Sequence, residues 1–564
     1  MELIAKQHPK ERWPELEVLR ASLSPRRRLL LWFLLAVVAL GVVNLVFRPP
    51  VPRLSAQEKL EDFQYLFGLL RDNHPFLPGK ARVESYDWVA HEAEFAQMVA
   101  RTRNNREFAR AVHQMLLLVN DGHTGLVNGD LLGLYQRLSV SELEKTAGKP
   151  PPGLERFYSQ LSFLKNISHQ ARPEIASYWT TLANTRPGQY SLPFTAVYNG
   201  GRYYVIKVAP DEAIRERVSD GLEVVAVGGV PVHDYVASTR GSTILPYDPV
   251  TKRLYMPVLL LPTAQDPIRV RFRDASGTVF ERSVPWSKTS WDAHYRRMPL
   301  DFSIKSIFTA IIGHGQVGYI YLPQMYTDLQ DMAPIRDFLP LLRKLPALII
   351  DIRGNGGGSD LFWHHLVALL ITEPISFEYA IMTRSGQYVR DYLGDYHLAI
   401  DRVLDRSQLG PGLTKSMPPE LLTPAFSDPQ LVAVTLEPSP DSIHYTGRIF
   451  VLVDDRVSSS ADAFAGFCRY TEWATVVGSY TGGEGPGITP VLAVLPNSGL
   501  VFRFPVTLAL TPWWTAWHET RTMPDVPVEL TVEDIIRQQS LSPSLHPDHD
   551  PVLREALRLA VGSG

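Results

Sequence analysis

The sequence has little cysteine and no excess of positive charge. Its 564 residues include one cysteine, 56 lysine and arginine residues and 59 aspartate and glutamate residues, for a formal net charge of -3. A single cysteine excludes an internal disulfide and a cysteine-based zinc cluster, and the apolar neighbours of Cys468 indicate a thiol in the core. Without a basic excess there is no electrostatic reason to expect nucleic acid as a partner. Nothing in the sequence implies an organic cofactor or a metal.

Lysine is absent from the end of the chain, where no lysine follows Lys415. A serine nucleophile in this part of the chain therefore needs a general base other than a nearby lysine. The length predicts three or four structural units, at roughly 100–200 residues per domain. The composition, 45% hydrophobic and 20% charged, is that of an ordinary globular protein.

One long apolar run lies near the N-terminus. Residues 29–47 carry no charge and are long enough to cross a hydrocarbon core of about 30 Å as a helix. Arginines at 26–28 precede the run, so the positive-inside rule places residues 1–28 in the cytoplasm and the rest of the chain outside it. We expect a single-pass membrane protein with an extracytoplasmic working part, periplasmic in a bacterium. A cleavable signal peptide is the alternative, but residues 48–52 offer no small-x-small cleavage site.

Residues 55–130 are predicted to form a helical domain. Ser55 and Glu58 match a capping box, the pattern in which two side chains satisfy the first backbone N–H groups of a helix. Apolar residues then follow at helical spacing, namely Leu60, Phe63, Leu66, Phe67 and Leu70. Further on, the helical periodicity breaks at a turn that contains His123.

The middle of the chain changes character twice. Residues 131–190 carry no recognisable chemistry and are treated as an insertion. Residues 191–290 contain alternating strand patterns whose order resembles a PDZ domain, a module that binds extended peptides by strand addition. From residue 300 to 545 strands alternate with helices, which predicts an α/β core with an insertion at 372–448. A helix is expected within residues 546–564.

A glycine cluster at 354–358 follows an apolar strand. A phosphate loop requires Gly-Lys-Ser/Thr, which is absent, and a dinucleotide fingerprint requires a glycine where Ser359 stands. An oxyanion hole, in which backbone N–H groups point at an oxygen that gains charge, is the third possibility. A sharp turn that needs positive φ explains one or two glycines more easily than three in a row.

Residues 451–466 read as a buried strand, a polar turn with three serines and a small-residue helix. Such a turn can hold a hydroxyl beside the unpaired N–H groups of the helix, where negative charge is stabilised. Serines before a helix more often only cap it. This stretch by itself therefore does not decide between a nucleophile and a cap.

Three motifs together resemble a known family. They are Asp121-Gly-His-Thr, Leu348-Ile-Ile-Asp-Ile-Arg-Gly-Asn-Gly-Gly-Gly and the stretch 451–466. Their order resembles the tail-specific, C-terminal-processing and tricorn-core serine peptidase family. The resemblance implies a crotonase-like α/β core, behind a helical domain and a PDZ-like module. It also implies peptide-bond hydrolysis of a polypeptide substrate through an acyl-enzyme, without a metal or a cofactor.

The family pattern places its nucleophile three residues before an acidic residue at the start of a helix. By the distance from Asp462 the resemblance implies Ser459 as the nucleophile, and Ser460 is the alternative. One branch of the family activates the serine with a lysine 25 positions later, and 459 plus 25 is 484, where this chain has Glu484. The lysine dyad is therefore excluded.

The tricorn-like branch uses a histidine from an Asp-x-His turn and orients it with a glutamate. This chain is similar, because His123 and Glu484 stand at the matching places. The resemblance thus implies a triad of Ser459, His123 and Glu484, with the neutral imidazole as general base. It places the oxyanion hole at the N–H groups of Gly356 or Gly357 and of Ser460. The expected supporting residues are Asp121, Asp351, Arg353 and Asp462.

Two other functions remain open. A protein on the same scaffold could bind a ligand or a peptide without catalysis, in the manner of retinoid-binding relatives of these peptidases. A scaffold that works through its PDZ-like module leaves the coincidence of three motifs unexplained. The sequence does not predict an oligomeric state.

Overall fold

The computed structural model describes residues 51–137, 171–184, 192–260, 267–285, 306–326, 328–395, 402–487, 490–540 and 547–562. In these ranges no helix combines the length and the apolar character needed to cross a membrane. The predicted span 29–47 and the tail 1–28 lie outside the described residues. The residues from Arg53 onward cluster as one unit.

Four helices open this unit. The first begins with the predicted capping box, because Ser55 Oγ accepts from the Glu58 N–H at 3.2 Å and the Glu58 carboxylate accepts from the Ser55 N–H at 2.7 Å. Its buried face includes Phe63, Leu66, Phe67 and Leu70. The helices are α1 (Ala56–Asn73), α2 (Leu77–Val83), α3 (Glu92–Ala100) and α4 (Asn105–Val119).

The chain turns sharply after α4. Asn120 caps the helix with a φ of 62° in the left-handed region, which asparagine tolerates better than most residues. The short strand β1 (Gly125–Leu126) and the helix α5 (Gly129–Arg137) follow. Part of the predicted insertion 131–190 is described, namely the end of α5 and the helix α6 (Pro173–Ala183), which packs against α4 and α5.

The predicted β-rich segment 191–290 contains an antiparallel sheet around its own apolar core. The strands are β2 (Phe194–Asn199), β3 (Arg202–Val208), β4 (Glu223–Val227), β5 (Val230–Pro231), β6 (Tyr247–Asp248), β7 (Arg253–Leu254), β8 (Ile268–Arg273) and β9 (Val279–Val284), and the helices are α7 (Glu212–Arg215) and α8 (Val232–Ser238). Their order in the sheet is β2-β3-β4-β8-β9, with β5 paired to β4 and a separate hairpin of β6 and β7. The assignment of this segment as a PDZ domain stays a prediction.

A six-stranded sheet forms the centre of the α/β core, in the order β10-β11-β12-β16-β17-β21. Its strands are β10 (Phe308–Ile312), β11 (Val317–Tyr321), β12 (Ala347–Asp351), β16 (Arg448–Val453), β17 (Thr475–Gly478) and β21 (Val526–Pro527). All neighbours are parallel except β10 and β11. Because β12 and β16 are adjacent and parallel, the loops at their carboxyl ends meet, and these are the glycine cluster and the serine turn.

The remaining helices alternate with or follow the strands of the core in the chain, and the one that contains Ile535 packs against β3. They are α9 (Ala333–Leu342), α10 (Asp360–Ala368), α11 (Gln387–Asp395), α12 (Pro411–Ser416), α13 (Ser460–Tyr470), α14 (Trp517–Thr520), α15 (Val532–Ser540) and α16 (Pro551–Val561). Short 3-10 helices lie at Val89–His91, Leu329–Met332, Arg406–Gln408, Pro419–Leu422 and Pro547–His549. The result is the mixed α/β fold that the sequence predicts.

Two smaller antiparallel sheets complete the core. One has the order β14-β15-β13-β20, so the predicted insertion 372–448 supplies three of its four strands. The other has the order β1-β19-β18 and joins the N-terminal part to the core. Their strands are β13 (Ile375–Thr383), β14 (Arg402–Val403), β15 (Gln430–Leu436), β18 (Val491–Val494), β19 (Val501–Phe504) and β20 (Thr507–Leu510).

A buried arginine ties the central sheet to the last helix. The Arg353 guanidinium donates to Asp351 at the end of β12, at 2.6 Å, and to Asp550, the N-cap of α16, at 2.7 and 2.9 Å. Burial by itself lowers the pKa of Arg353, but the two carboxylates outweigh it and raise that pKa above its ordinary value. Tyr319 donates a further hydrogen bond to Asp351 at 2.8 Å. This ion cluster supports the base of the glycine loop.

We predict that Arg353→Leu lowers the free energy of unfolding by about 3–5 kcal/mol, because it leaves two carboxylates buried without their counter-charge. The matched control is Arg558→Leu on α16, where the ion pair with Glu555 is largely exposed and solvent screens its charges, so a much smaller loss is expected. Denaturant unfolding of both variants measures the difference. Equal losses would contradict the role given to the cluster.

Candidate active site

Ser459 stands at the turn between β16 and α13. Its φ of 56° and ψ of -129° are a rare conformation for a residue with a side chain, as found where a nucleophile is presented at a strand-to-helix turn. The Ser459 N–H donates to the Gly483 carbonyl at 3.0 Å, and its own carbonyl accepts from the Ala463 N–H at 2.9 Å. The side chain does not cap the helix. The hydroxyl is therefore left available for other contacts.

His123 reaches this hydroxyl from the turn after α4. Its Nε2 atom lies 3.1 Å from Ser459 Oγ. This is hydrogen-bonding distance, and either atom can donate according to the tautomer of the imidazole. The neighbouring serines face elsewhere: Ser458 Oγ donates to the Gly356 carbonyl at 3.3 Å, and Ser460 Oγ is buried with no partner among the described residues. The structure thus pairs His123 with Ser459 rather than with Ser460.

Glu484 lies on the other side of the imidazole. Its Oε2 atom is 3.6 Å from His123 Nδ1, which is longer than a hydrogen bond, and its Oε1 atom accepts from the Gly122 N–H at 2.8 Å. The side chains of His123 and Glu484 are 15% and 26% exposed, so the site opens to solvent. The three predicted triad residues therefore converge in the order Ser459, His123, Glu484.

Asp121 is buried beside this line of residues. Thr124 Oγ1 donates a short hydrogen bond to Asp121 Oδ2, and His74 Nε2 lies 3.5 Å from the same oxygen. Burial by itself raises the pKa of Asp121, but the contact with His74 and nearby positive charge hold that pKa well below its ordinary value. Asp121 is therefore an ionised carboxylate that braces the turn carrying His123.

His74 is a site residue that the sequence analysis missed. The Phe76 N–H donates to its Nδ1 atom at 3.2 Å, so the proton of the neutral ring sits on Nε2 and is directed at Thr124 Oγ1, 2.8 Å away. Burial lowers the pKa of His74, which is consistent with the neutral form. Nothing in the motif Asn73-His74-Pro75 marks this role, because the partners lie about 50 residues away.

The three N–H groups predicted for the oxyanion hole differ in whether they already donate a hydrogen bond. The Gly357 N–H donates to Asn355 Oδ1 at 2.9 Å, so it is already engaged within the loop. The N–H groups of Gly356 and Ser460 form no hydrogen bond with any described residue. A side chain at Gly357 would collide with Ser459, since a Cβ atom there would lie 2.7 Å from Ser459 Cβ at a φ of 100°. The glycine loop is therefore pressed against the nucleophile turn.

Asp462 joins the serine helix to the glutamate loop. Its fully buried carboxylate accepts from Thr481 Oγ1 at 2.6 Å and from the Gly485 N–H at 3.3 Å. Burial raises the pKa of Asp462 to about 6, although these donors oppose the rise. The side chain thereby fixes the loop that carries Glu484 relative to α13. Asp351 and Arg353 support the glycine loop from below, through their ion cluster with the N-cap of α16.

A cleft of about 100 Å³ lies behind Glu484. It is lined by α2, by the segment 244–247, by α14 and by Arg521, which follows that helix. Its lining includes Glu484 but neither Ser459 nor His123. The cleft therefore faces the acid of the triad and not the nucleophile.

A serine, a histidine and a glutamate converging in this way on an α/β scaffold form the arrangement of a serine hydrolase. Residues 316–528 match the model of peptidase family S41. The chain therefore carries a domain of this peptidase family, and the sequence prediction of a serine peptidase is confirmed. No curated protein sequence matches the chain.

Solved structures resemble the fold of this chain. Mature CPAF is 16% identical, with a TM-score of 0.53 over 90% of this chain and 97% of that chain. Mature CPAF complexed with lactacystin is also 16% identical, with a TM-score of 0.51 over 90% and 98%. The photosystem II D1 C-terminal processing protease is a weaker likeness, 15% identical with a TM-score of 0.33 over 87% and 99%. The CPAF matches support the fold alone.

We predict that Gly122→Ala lowers kcat by about 100-fold while leaving the stability of the fold nearly unchanged. A Cβ atom at Gly122 would lie 2.7 Å from both carboxylate oxygens of Glu484 and would push that side chain away from His123. The matched control is Gly125→Ala in the same segment, where a Cβ atom meets nothing within 4 Å. Neither glycine has a positive φ, so the backbone tolerates both changes. Peptide hydrolysis at saturating substrate measures the effect, and equal activity of the two variants would refute it.

We also predict that Asp462 makes the free energy of unfolding depend on pH. Its pKa of about 6 lies above the value of about 3.9 in an unfolded chain. The folded protein thus holds the Asp462 proton more tightly, and the stability from this group is lost as the pH rises from about 4 to 6. Relative to Asp462→Asn, the free energy of unfolding of the unmodified protein should fall by up to about 3 kcal/mol across this window. Denaturant unfolding at several pH values measures the difference, which would be flat if Asp462 titrated normally.

Proposed function

We propose that this protein is a membrane-anchored serine endopeptidase that hydrolyses polypeptides through an acyl-enzyme on Ser459. The observation that carries the proposal is the 3.1 Å contact between His123 Nε2 and Ser459 Oγ, with Glu484 on the far side of the imidazole. The peptidase family of the core supports the same reaction class. The strained backbone of Ser459 supports it too, because such strain is commonly stored where a reactive group is presented.

The proposed mechanism gives each proton a path between named atoms. With its proton on Nδ1, the neutral imidazole of His123 accepts the hydroxyl proton at Nε2 while Ser459 Oγ attacks the scissile carbonyl carbon. The imidazolium then gives this proton to the leaving amine, and the acyl group stays on Ser459. In the second half-reaction a water molecule attacks the ester, His123 takes its proton and returns it to Ser459, and the acid product leaves.

Glu484 orients the base. Its Oε1 atom is held by the Gly122 N–H, so its Oε2 atom faces His123 Nδ1 and favours the tautomer with the proton on that atom. The 3.6 Å gap needs to close by about 0.6 Å to become an ordinary hydrogen bond, and catalytic contacts commonly tighten when substrate binds. The charge of the ionised Asp121 adds to the stabilisation of the imidazolium.

The negative oxygen of the tetrahedral intermediate needs hydrogen-bond donors. We propose the N–H groups of Ser460 and Gly356, which have no partner among the described residues. The Gly357 N–H joins only if it leaves Asn355 Oδ1. Losing one such donor typically lowers kcat by about 100- to 1000-fold.

The setting of the enzyme is proposed from the sequence. The apolar run 29–47 and the arginines at 26–28 support a single-pass anchor with the peptidase outside the cytoplasm. A crotonase-like core and a PDZ-like module at 191–290 are proposed from the family resemblance. Fractionation of cells expressing the full chain, or a chain that begins at Arg53, tests the anchor, because only the full chain should enter the membrane fraction.

We predict that Ser459→Ala and His123→Ala each lower peptide hydrolysis by at least about 10⁴-fold and leave the fold intact. A fluorophosphonate probe should label the unmodified protein and fail to label Ser459→Ala. The matched control is Ser458→Ala in the same turn, since Ser458 Oγ faces the Gly356 carbonyl and not His123. Labelling that persists in Ser459→Ala would contradict the assignment of Ser459 as the nucleophile. A native protein that is not labelled would favour the non-catalytic binding function.

A further inference from the structure

We propose that one Zn²⁺ ion binds among His123, Glu484 and Asp121 and reversibly blocks the peptidase; the block, but not the binding, rests on the proposed function. These three residues place one ligand atom each within 4.8 Å of the other two. They come from two separate segments, the turn after α4 and the loop after β17. The cluster is thus a feature of the folded protein and not of a local sequence motif.

The separation of two of the ligands in the structure is also close to what a metal ion requires. His123 Nδ1 and Glu484 Oε2 are 3.6 Å apart, too far for a hydrogen bond. Two ligands at about 2.0–2.1 Å on a tetrahedral zinc ion are separated by roughly 3.3 Å. A small contraction would therefore bring both atoms into the coordination sphere of one ion.

The donor set favours zinc over harder cations. Zinc binds imidazole nitrogen and carboxylate oxygen in the same site, whereas magnesium and calcium prefer oxygen ligands alone. Partial exposure of His123 and Glu484 provides an entry path and room for a water molecule as the fourth ligand. The nearby cation Lys80 is paired with other groups: its ammonium group donates to Glu84 at 3.0 Å and to the Asn120 carbonyl at 2.6 Å.

Outer contacts already orient two of the ligands. The Gly122 N–H holds Glu484 Oε1 at 2.8 Å, which leaves Oε2 directed at the histidine. Thr124 donates to Asp121 Oδ2 and is itself hydrogen-bonded to His74, which leaves Asp121 Oδ1 for a metal. Such outer-shell hydrogen bonds fix ligand direction and strengthen zinc sites by about 10- to 100-fold.

Zinc at this place would remove the general base. A neutral imidazole that ligates a metal through Nδ1 carries its proton on Nε2. That atom faces Ser459 Oγ at 3.1 Å and could then only donate a hydrogen bond. His123 would be unable to take the hydroxyl proton, so the serine would stay un-ionised until a chelator removed the metal.

The binding test uses the full chain with Ser459→Ala, which keeps all three ligands. Calorimetric titration with zinc chloride should show one tight equivalent. Glu484→Gln and Asp121→Asn should each weaken it by at least about tenfold, and the two variants keep the test valid if one fails to fold. The matched control is His91→Ala, because His91 and Glu94 form a pair at 2.8 Å at the start of α3, outside the proposed site. Binding that is absent, or unchanged in both ligand variants, would overturn the site.

The blocking test measures how fast the fluorophosphonate probe labels Ser459. Zinc should slow labelling of the unmodified protein at least about tenfold, and a chelator should restore the rate. Zinc binding without slower labelling would overturn the block. A protein that is never labelled would instead contradict the proposed function. The calorimetric result would still decide whether zinc binds.

Discussion

The site depends on one pairing of short strands. His123 and Ser459 are 336 residues apart in the sequence, and β1 brings them together by pairing antiparallel with β19 of the core. The register sets Gly125 opposite Arg503 and Leu126 opposite Phe502, and the Val127 N–H continues the ladder to the Val501 carbonyl at 2.9 Å. Because register in a strand pair is discrete, a slip by one residue would turn the histidine segment to the other face. The position of the base is thus set by backbone hydrogen bonds.

Side chains around this strand pair hold the N-terminal helices in place. Asp62 on α1 accepts from the N–H groups of Asn497 and Ser498 at 2.8 and 3.0 Å, and the Trp179 indole donates to the Ser498 carbonyl at 3.0 Å. Arg503, on β19, donates to the Gly122 carbonyl at 3.2 Å. The helical part and the core therefore share one set of contacts, and the histidine turn moves only if several of them break together.

The sequence contained enough information to single out the three proposed triad residues, because each lies in a local motif of the family pattern. Within that pattern, Ser459 is placed by its distance from Asp462, and Glu484 by its distance from Ser459. His123 stood out only because the lysine that could have replaced it was missing. The supporting network was less accessible. The engagement of the Gly357 N–H by Asn355, like the tautomer of His74, depends on side-chain directions that no spacing rule contains.

The α/β core could be predicted from the sequence, but the second sheet could not. Alternating strands and helices indicated the core, because parallel strands need crossover helices. The segment 372–448, predicted as an insertion, supplies three strands of a second sheet, whose remaining strand, β20, comes about 70 residues later. The pairing of antiparallel strands so far apart in the sequence cannot be predicted from the periodicity of the residues between them.

The two carboxylates beside His123 act on its imidazole in different ways. Glu484 is 26% exposed, so solvent screens its charge, and its main effect on the imidazole is orientation. Asp121 is buried and ionised, so its charge acts through a medium of lower dielectric constant even though it makes no hydrogen bond to the ring. The contact with His74 and the charge of Lys80 help to keep the pKa of Asp121 low, and Thr124 donates a hydrogen bond to its carboxylate. In the proposed mechanism, the N-terminal part thus supplies the base and a buried charge beside it, and the core supplies Ser459 and Glu484.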